Sequence, residues 1–185
     1  GHSSHQIGLD VDLWYMPMPD HTLTSEERER LSAVSMIDAA TLTVDPAVWS
    51  AAHVKLLKRA ASYPEVARIF VHPAIKKALC DAAGVDRAWL AKVRPWWQHH
   101  DHFHIRLSCP QGSPECVAQR PIDGDDGCGA ELEEWFEKLR APPPPKPQKP
   151  LPPPKPMLVS DLPKACQVLL AEAEKTAHSH TAGVP

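Results

Sequence analysis

Four imidazoles fall within six residues, at His99, His100, His102 and His104. Immediately after them, Ile105 and Leu107 alternate with Arg106 and Ser108, the period of a half-buried strand. Carried backwards, the same alternation turns His102 and His104 to one face and Phe103 and Ile105 to the other. A strand with two imidazoles on its open face is a rigid platform for a metal ion. A second stretch, His2 to Leu13, holds His5 and Asp12 around another short apolar-alternating run. His5, Asp12 and an imidazole of the first stretch give two nitrogens and one oxygen. That is the donor set of a catalytic zinc site, which keeps one position open for water.

Such a zinc lowers the pKa of its water to about 7 and polarises a scissile carbonyl. No Glu stands in the His-Glu-x-x-His arrangement of the common zinc proteases. A histidine beside the metal, His102 or His99, must therefore take the proton. Asp10 shares the Asp12 face of a strand and is expected to support the site without binding the metal. Trp96 and Trp97, with Trp14 and Tyr15, sit beside these residues in sequence and are candidates for the wall of a substrate groove. His21, His53 and His72 lack a partner motif and read as surface or internally satisfied histidines.

The elements that must position these groups are short. Thr24-Ser-Glu-Glu reads as a helix start with acidic residues in the first turn. Asp38 to Val44 reads as irregular or a short strand. Asp45-Pro46 reads as an N-cap followed by Pro at the first helical position, opening a helix to about Ser62. Ala67–Val71 is a β-branched and aromatic strand. Pro73 to Ala83 is a helix closed by Gly84, Asp86 to Lys92 another short one, and Ala130 to Leu139 a third with Leu132, Trp135 and Phe136 on one side. This mixture predicts an α+β fold in which a small antiparallel sheet carries the zinc site between flanking helices.

The 185 residues fit one domain of residues 1–140, a Pro-rich linker over 141–157, and a tail over 158–185. From Pro142 to Pro156, ten of fifteen residues are proline, which imposes polyproline II or disorder. Within the tail, Pro163 to Lys175 is expected to form a helix that docks back through Cys166. A net charge of −3 without a basic block disfavours nucleic acid as a partner. No apolar run approaches the ~18 residues that span a bilayer. Nothing in the sequence specifies an oligomeric state. The chain opens inside a ligand motif, without an initiator Met or a signal peptide, which suggests a chain that has lost its N-terminal part. The five cysteines form no Cys-x-x-Cys pair and lie in turn-rich polar segments, which favours disulfides in an oxidising compartment over a thiolate zinc ribbon. Cys109 and Cys116 bracket a turn-rich loop that a bridge could close.

His5-x-x-Gly8-x-x-x-Asp12, followed much later by His102-x-His104, resembles the motif pair of the LAS metallopeptidases, peptidoglycan-cleaving zinc enzymes. Gly1–Asp12, Arg68–Lys76, Leu90–Trp96 and Gly127–Leu132 are further stretches of likeness. The resemblance spans residues 1–140 and the Pro-rich tail with its lone cysteine. It implies Zn2+ on His5, Asp12 and His104, His102 beside the metal-activated water, and His99 as another active-site histidine. It also implies His2 as a possible holder of a second metal, although the Asp38–Thr41 region lacks the histidine that would complete such a site. It pairs Cys80 with Cys128 and Cys109 with Cys116, leaving Cys166 for a cysteine absent from this chain. The implied reaction is hydrolysis of D-alanyl-diaminopimelate cross-links of peptidoglycan in the periplasm. A non-catalytic peptidoglycan- or metal-binding module is the alternative.

Overall fold

The structure is a computed structural model that describes residue 5 and residues 7–122, 124–142 and 155–181. His2 and most of the Pro-rich linker lie outside the described residues. The chain divides into two compact units, 1–142 and 143–185.

Unit one is built on a four-stranded sheet ordered β1-β6-β4-β5, with β1 over Asp10–Trp14, β4 over Val66–Val71, β5 over Val93–Pro95 and β6 over His102–Leu107. β1 and β4 both pair antiparallel to β6, and β5 pairs parallel to β4. The α+β class is as expected, but the sheet is mixed and not wholly antiparallel. The cause lies in the connection: the chain leaves β4 through α3 (Pro73–Ala82) and a 3-10 helix (Ala88–Lys92) before β5. A crossover of that length returns a strand in the parallel sense. A small hairpin, β2 (Ile37–Asp38) with β3 (Thr43–Val44), lies apart from this sheet.

One face of the sheet is packed. Phe103 and Ile105 of β6 join Ile69 and Val71 of β4, Leu57 and Ala61 of α2 (Ala51–Ala61), and Ile75 and Leu79 of α3 in one core. Burying side chains of this size contributes about 1.5–3 kcal/mol each. Alternation then forces His102, His104 and Arg106 onto the opposite face. An irregularity in the β4–β6 ladder between Val66 and Arg68 shifts the register so that Val66 also points inward.

The helix starts are set by local hydrogen bonds. Thr24 and Glu27 form a capping box that opens α1, Ser25–Arg30. The second helix corrects the expectation of a start at Asp45-Pro46: it begins at Ala51. Asp45 closes a tight turn, accepting the Ala47 N–H on its carboxylate and the Val48 and Trp49 N–H groups on its carbonyl. Ser50 and His53 supply the reciprocal cap five residues later. His72 caps α3, its Nδ1 accepting the Ala74 N–H at 3.1 Å, with Pro73 at the first helical position. His53 and His72 are thus internally satisfied, and His21 is exposed against Asp20.

α4 (Ala130–Arg140) packs on α3 through Leu132, Phe136 and Cys80. The Cys80–Cys128 disulfide, 48 residues apart, ties the loop before α4 to α3. Cys109 and Cys116 form the second bridge. Lys76, fully buried on α3, donates its Nζ protons to the carbonyls of Leu90 and Asp126, joining the 3-10 helix to the same loop. Burial pushes its ammonium down to about 7.

Unit two contains a short 3-10 turn over Val159–Asp161 and α5 over Lys164–Thr181, where Cys166 is exposed and unbridged.

Candidate metal centre

Two adjacent strands build the site. Asp12 lies opposite His104 across the β1–β6 ladder. Side chains on one face of such a pair stand about 5 Å apart at Cβ, so the register alone brings a carboxylate to an imidazole. His104 Nδ1 is 3.0 Å from Asp12 Oδ1, and His5 Nε2 is 3.2 Å from Asp12 Oδ2. The His5 and His104 rings meet edge-on at 4.8 Å. One donor atom from each of His5, Asp12 and His104 lies within 4.8 Å of the others, and among the described residues this is the one group of His, Cys, Asp or Glu so arranged. Two imidazole nitrogens and a carboxylate oxygen, converging from an edge, suit a divalent metal held by three protein ligands.

Asp10 stands behind the triad. Its carboxylate accepts the His104 Nε2 proton at 2.7 Å and an Arg106 Nη1 proton at 2.7 Å. Burial acts to raise its pKa, but the hydrogen bonds from His104 and Arg106 outweigh that, so Asp10 stays below the ordinary carboxylate range.

His102 shares the face of His104. Its Nδ1 proton goes to Asp101 Oδ1 at 2.6 Å, leaving Nε2 as an acceptor. Burial also acts to raise Asp101, and the bond from His102 with the nearby His100 holds it low. His99 is not on the strand. It follows Gln98, and both residues hold positive φ, +60° and +50°, a conformation that costs a non-glycine residue of order 1 kcal/mol. This kink turns the buried His99 ring to 4.9 Å from His102 and 5.9 Å from His104. Its Nδ1 donates to the Trp97 carbonyl at 2.6 Å. Burial lowers its pKa, opposed by that hydrogen bond, so the ring is neutral at neutral pH.

Phe70 of β4 packs edge-on against His104 at 5.6 Å and continues to Trp96 at 5.7 Å. Trp96 and Trp97 are both half exposed and rest on Trp135 of α4. Trp96 thus reaches His104 only through the Phe70 ring. Trp14 is also half exposed, whereas Tyr15 is buried against Phe103 and belongs to the core. A groove of about 1350 Å3 runs along β1 past Leu13, Trp14, Tyr15 and Phe103; of the triad only Asp12 lines it, and Trp96 and Trp97 do not.

The structure brings His5, Asp12, His99, His102 and His104 together. It adds Asp101, Arg106, Phe70 and Trp135, to which the sequence reading assigned no role at the site. Arg106 was legible as the next outward residue after His104. Phe70 and Trp135 carry no local signal, because strand pairing and helix docking alone bring them there.

A small α+β domain with two nitrogens and one oxygen on an open sheet face, backed by a buried carboxylate, defines a class of metal-site proteins. The family model described as penicillin-insensitive murein endopeptidase matches residues 1–171. The chain is 48% identical over 172 residues to the penicillin-insensitive murein endopeptidase of Klebsiella pneumoniae subsp. pneumoniae, covering 93% of this chain and 60% of that protein. For the protein of the same name from Yersinia pestis the identity is 48%, covering 92% and 58%. For that of Escherichia coli O1:K1 / APEC it is 47%, covering 93% and 60%. The chain belongs to the penicillin-insensitive murein endopeptidase family. It spans about 60% of the length of these curated relatives.

Proposed function

We propose that this chain carries the catalytic centre of a zinc-dependent murein endopeptidase that hydrolyses D-alanyl-diaminopimelate cross-links in peptidoglycan. The observation that carries the reading is the convergence of His5, Asp12 and His104 within 4.8 Å, in a chain of this family. Zinc in such a donor set supplies Lewis acidity, acidifying a water and polarising the scissile carbonyl.

The protein's own residues do the rest. His102 Nε2, left as an acceptor by the Nδ1 bond to Asp101, takes the proton of the attacking water. His99, 4.9 Å from His102 and with its Nδ1 proton given to the Trp97 carbonyl, presents a bare Nε2 that accepts this proton and passes it to the leaving amine. Trp96 and Trp97, both half exposed, flank the cross-link. The two disulfides and the names of the relatives support a periplasmic setting. No described helix is long and apolar enough to cross a membrane.

The test is to load the chain with one equivalent of zinc, add cross-linked muropeptide dimers and separate the products by chromatography and mass spectrometry. Conversion of dimers to monomers, abolished by a chelator and restored by zinc, is expected. Binding of dimers without cleavage by the zinc-loaded chain would instead support a non-catalytic peptidoglycan-binding module.

A further inference from the structure

Two aspartates, Asp10 and Asp12, project from the same face of β1 toward the same imidazole. Chemically they are equal candidates for the metal, and a site holding both would lose the open position that hydrolysis needs. Their surroundings separate them. Asp12 is half exposed and points to His5 and to His104 Nδ1. The Asp10 side chain is 1% exposed and both its oxygens are engaged, Oδ1 by His104 and Oδ2 by Arg106. Arg106 is Asp10's direct partner across the ladder, so the ion pair is built into the strand register and does not depend on a long side chain finding its place.

We propose that Arg106 and Asp10 form a positioning pair, in which Arg106 withholds Asp10 from the metal and Asp10 fixes the His104 tautomer so that Nδ1 faces the triad. The proposal rests on the reading of His104 as a metal ligand. An ionised carboxylate only accepts hydrogen bonds, so the nitrogen facing Asp10 must carry the proton. Nε2 is then N–H, and Nδ1, 3.0 Å from Asp12 Oδ1, is the nitrogen whose lone pair a metal held between His104 and Asp12 would take. Without Asp10 the ring could invert or exchange tautomers, and a proton on Nδ1 would compete with the metal. Without Arg106, Asp10 would face His104 with one oxygen uncommitted and could swing toward the triad as a fourth ligand.

Zinc affinity, read by chelator competition on the 185-residue chain, tests this. Asp10→Ala should weaken zinc binding ten- to a hundredfold, the usual cost of losing a carboxylate behind a ligating histidine. Asp10→Asn should recover most of the loss, since its amide oxygen can still accept the Nε2 proton. A role confined to folding would move the melting curve without this rescue pattern, so thermal melts are recorded on each variant. Nitrogen NMR of histidine-labelled, zinc-loaded protein adds a signature of the pair itself. His104 should show a protonated Nε2 and a metal-bound Nδ1. Arg106→Ala, in cobalt-substituted protein, should lower the visible absorption intensity as coordination number rises. Parental zinc affinity in a folded Asp10→Ala, or a His104 bound through Nε2, would overturn the proposal. His104→Ala, run in parallel, distinguishes the failures. If it keeps stoichiometric zinc, the ligand reading falls; if it loses zinc while Asp10→Ala keeps it, only the positioning pair falls.

Discussion

His104 Nδ1 and Asp12 Oδ1 lie 3.0 Å apart across the β1–β6 ladder, joined by a register that makes the two residues direct partners. They are 92 positions apart in sequence, the difference between 104 and 12. His104→Ala removes one of three donors, and two donors do not hold a structural equivalent of zinc against a competing chelator. Loss of stoichiometric zinc, measured by metal analysis after dialysis, is the expected result. Full occupancy would show that the ion sits elsewhere.

His102→Ala should separate binding from turnover. Its Nδ1 is committed to Asp101 and it is not among the three convergent donors. The variant should keep its zinc and lose about 10²–10⁴ in rate on muropeptide dimers, the scale of a general acid–base group. Parental turnover would transfer the proton to His99.

Stability should rise with pH in two windows. His72 is buried and neutral, and its Nδ1 lone pair caps α3; burial, with His100 and His99 nearby, pushes its pKa to about 4 from an ordinary 6.5. Between about 4 and 6.5 the unfolded chain therefore binds more protons than the folded one, so stability increases with pH through that window and is lost on acidification, by roughly 3 kcal/mol. Lys76, at about 7 in place of 10.5, acts in the same direction between those values. Denaturant melts from pH 4 to 9 check both windows. His72→Asn, which keeps a cap acceptor and removes the titrating ring, should flatten the lower one, and an unchanged acid slope in that variant would assign the effect to other groups.

Gly127 holds a φ of +67°, and a Cβ there would strike Nη1 of Arg94, which donates to Glu131 at 2.6 Å. Gly127→Ala should destabilise unit one by about 1–2 kcal/mol from backbone conformation alone, with more from displacing the ion pair. A melting temperature equal to the parent's would show that the loop relaxes without cost.

Cys166 should be the one cysteine that reacts with a thiol reagent under native, non-reducing conditions, since the other four are bridged. Reduction should raise the count from one to five. Opening Cys80–Cys128 in the process removes a constraint worth about 4 kcal/mol on a loop-entropy estimate for its 48-residue separation. More than one native thiol would mean that a bridge is incomplete.

Local signals in the sequence were enough for the parts of this protein that depend on neighbours in the chain. The alternation Phe103-His104-Ile105-Arg106 decided which side chains face the core and which face the site, because the β period is two. Pro73 and Gly84 bounded α3, through the missing N–H of one and the left-handed φ of +61° of the other. At Asp45-Pro46 the local signal placed the helix start too early; the reciprocal Ser50–His53 bonds, which no local signal had suggested, begin the helix at Ala51. The LAS-like motif pair pointed to the residues of the triad, but only strand pairing brings Asp12 opposite His104. The distinction between Asp10 and Asp12 is likewise tertiary. Two carboxylates of one type, two residues apart on one face, differ only because Arg106 lies across the ladder from one and His104 from the other. A charge on the neighbouring strand leaves no mark on the residues beside it in sequence, so the fold alone decides which carboxylate is buried in an ion pair and which is left facing the triad.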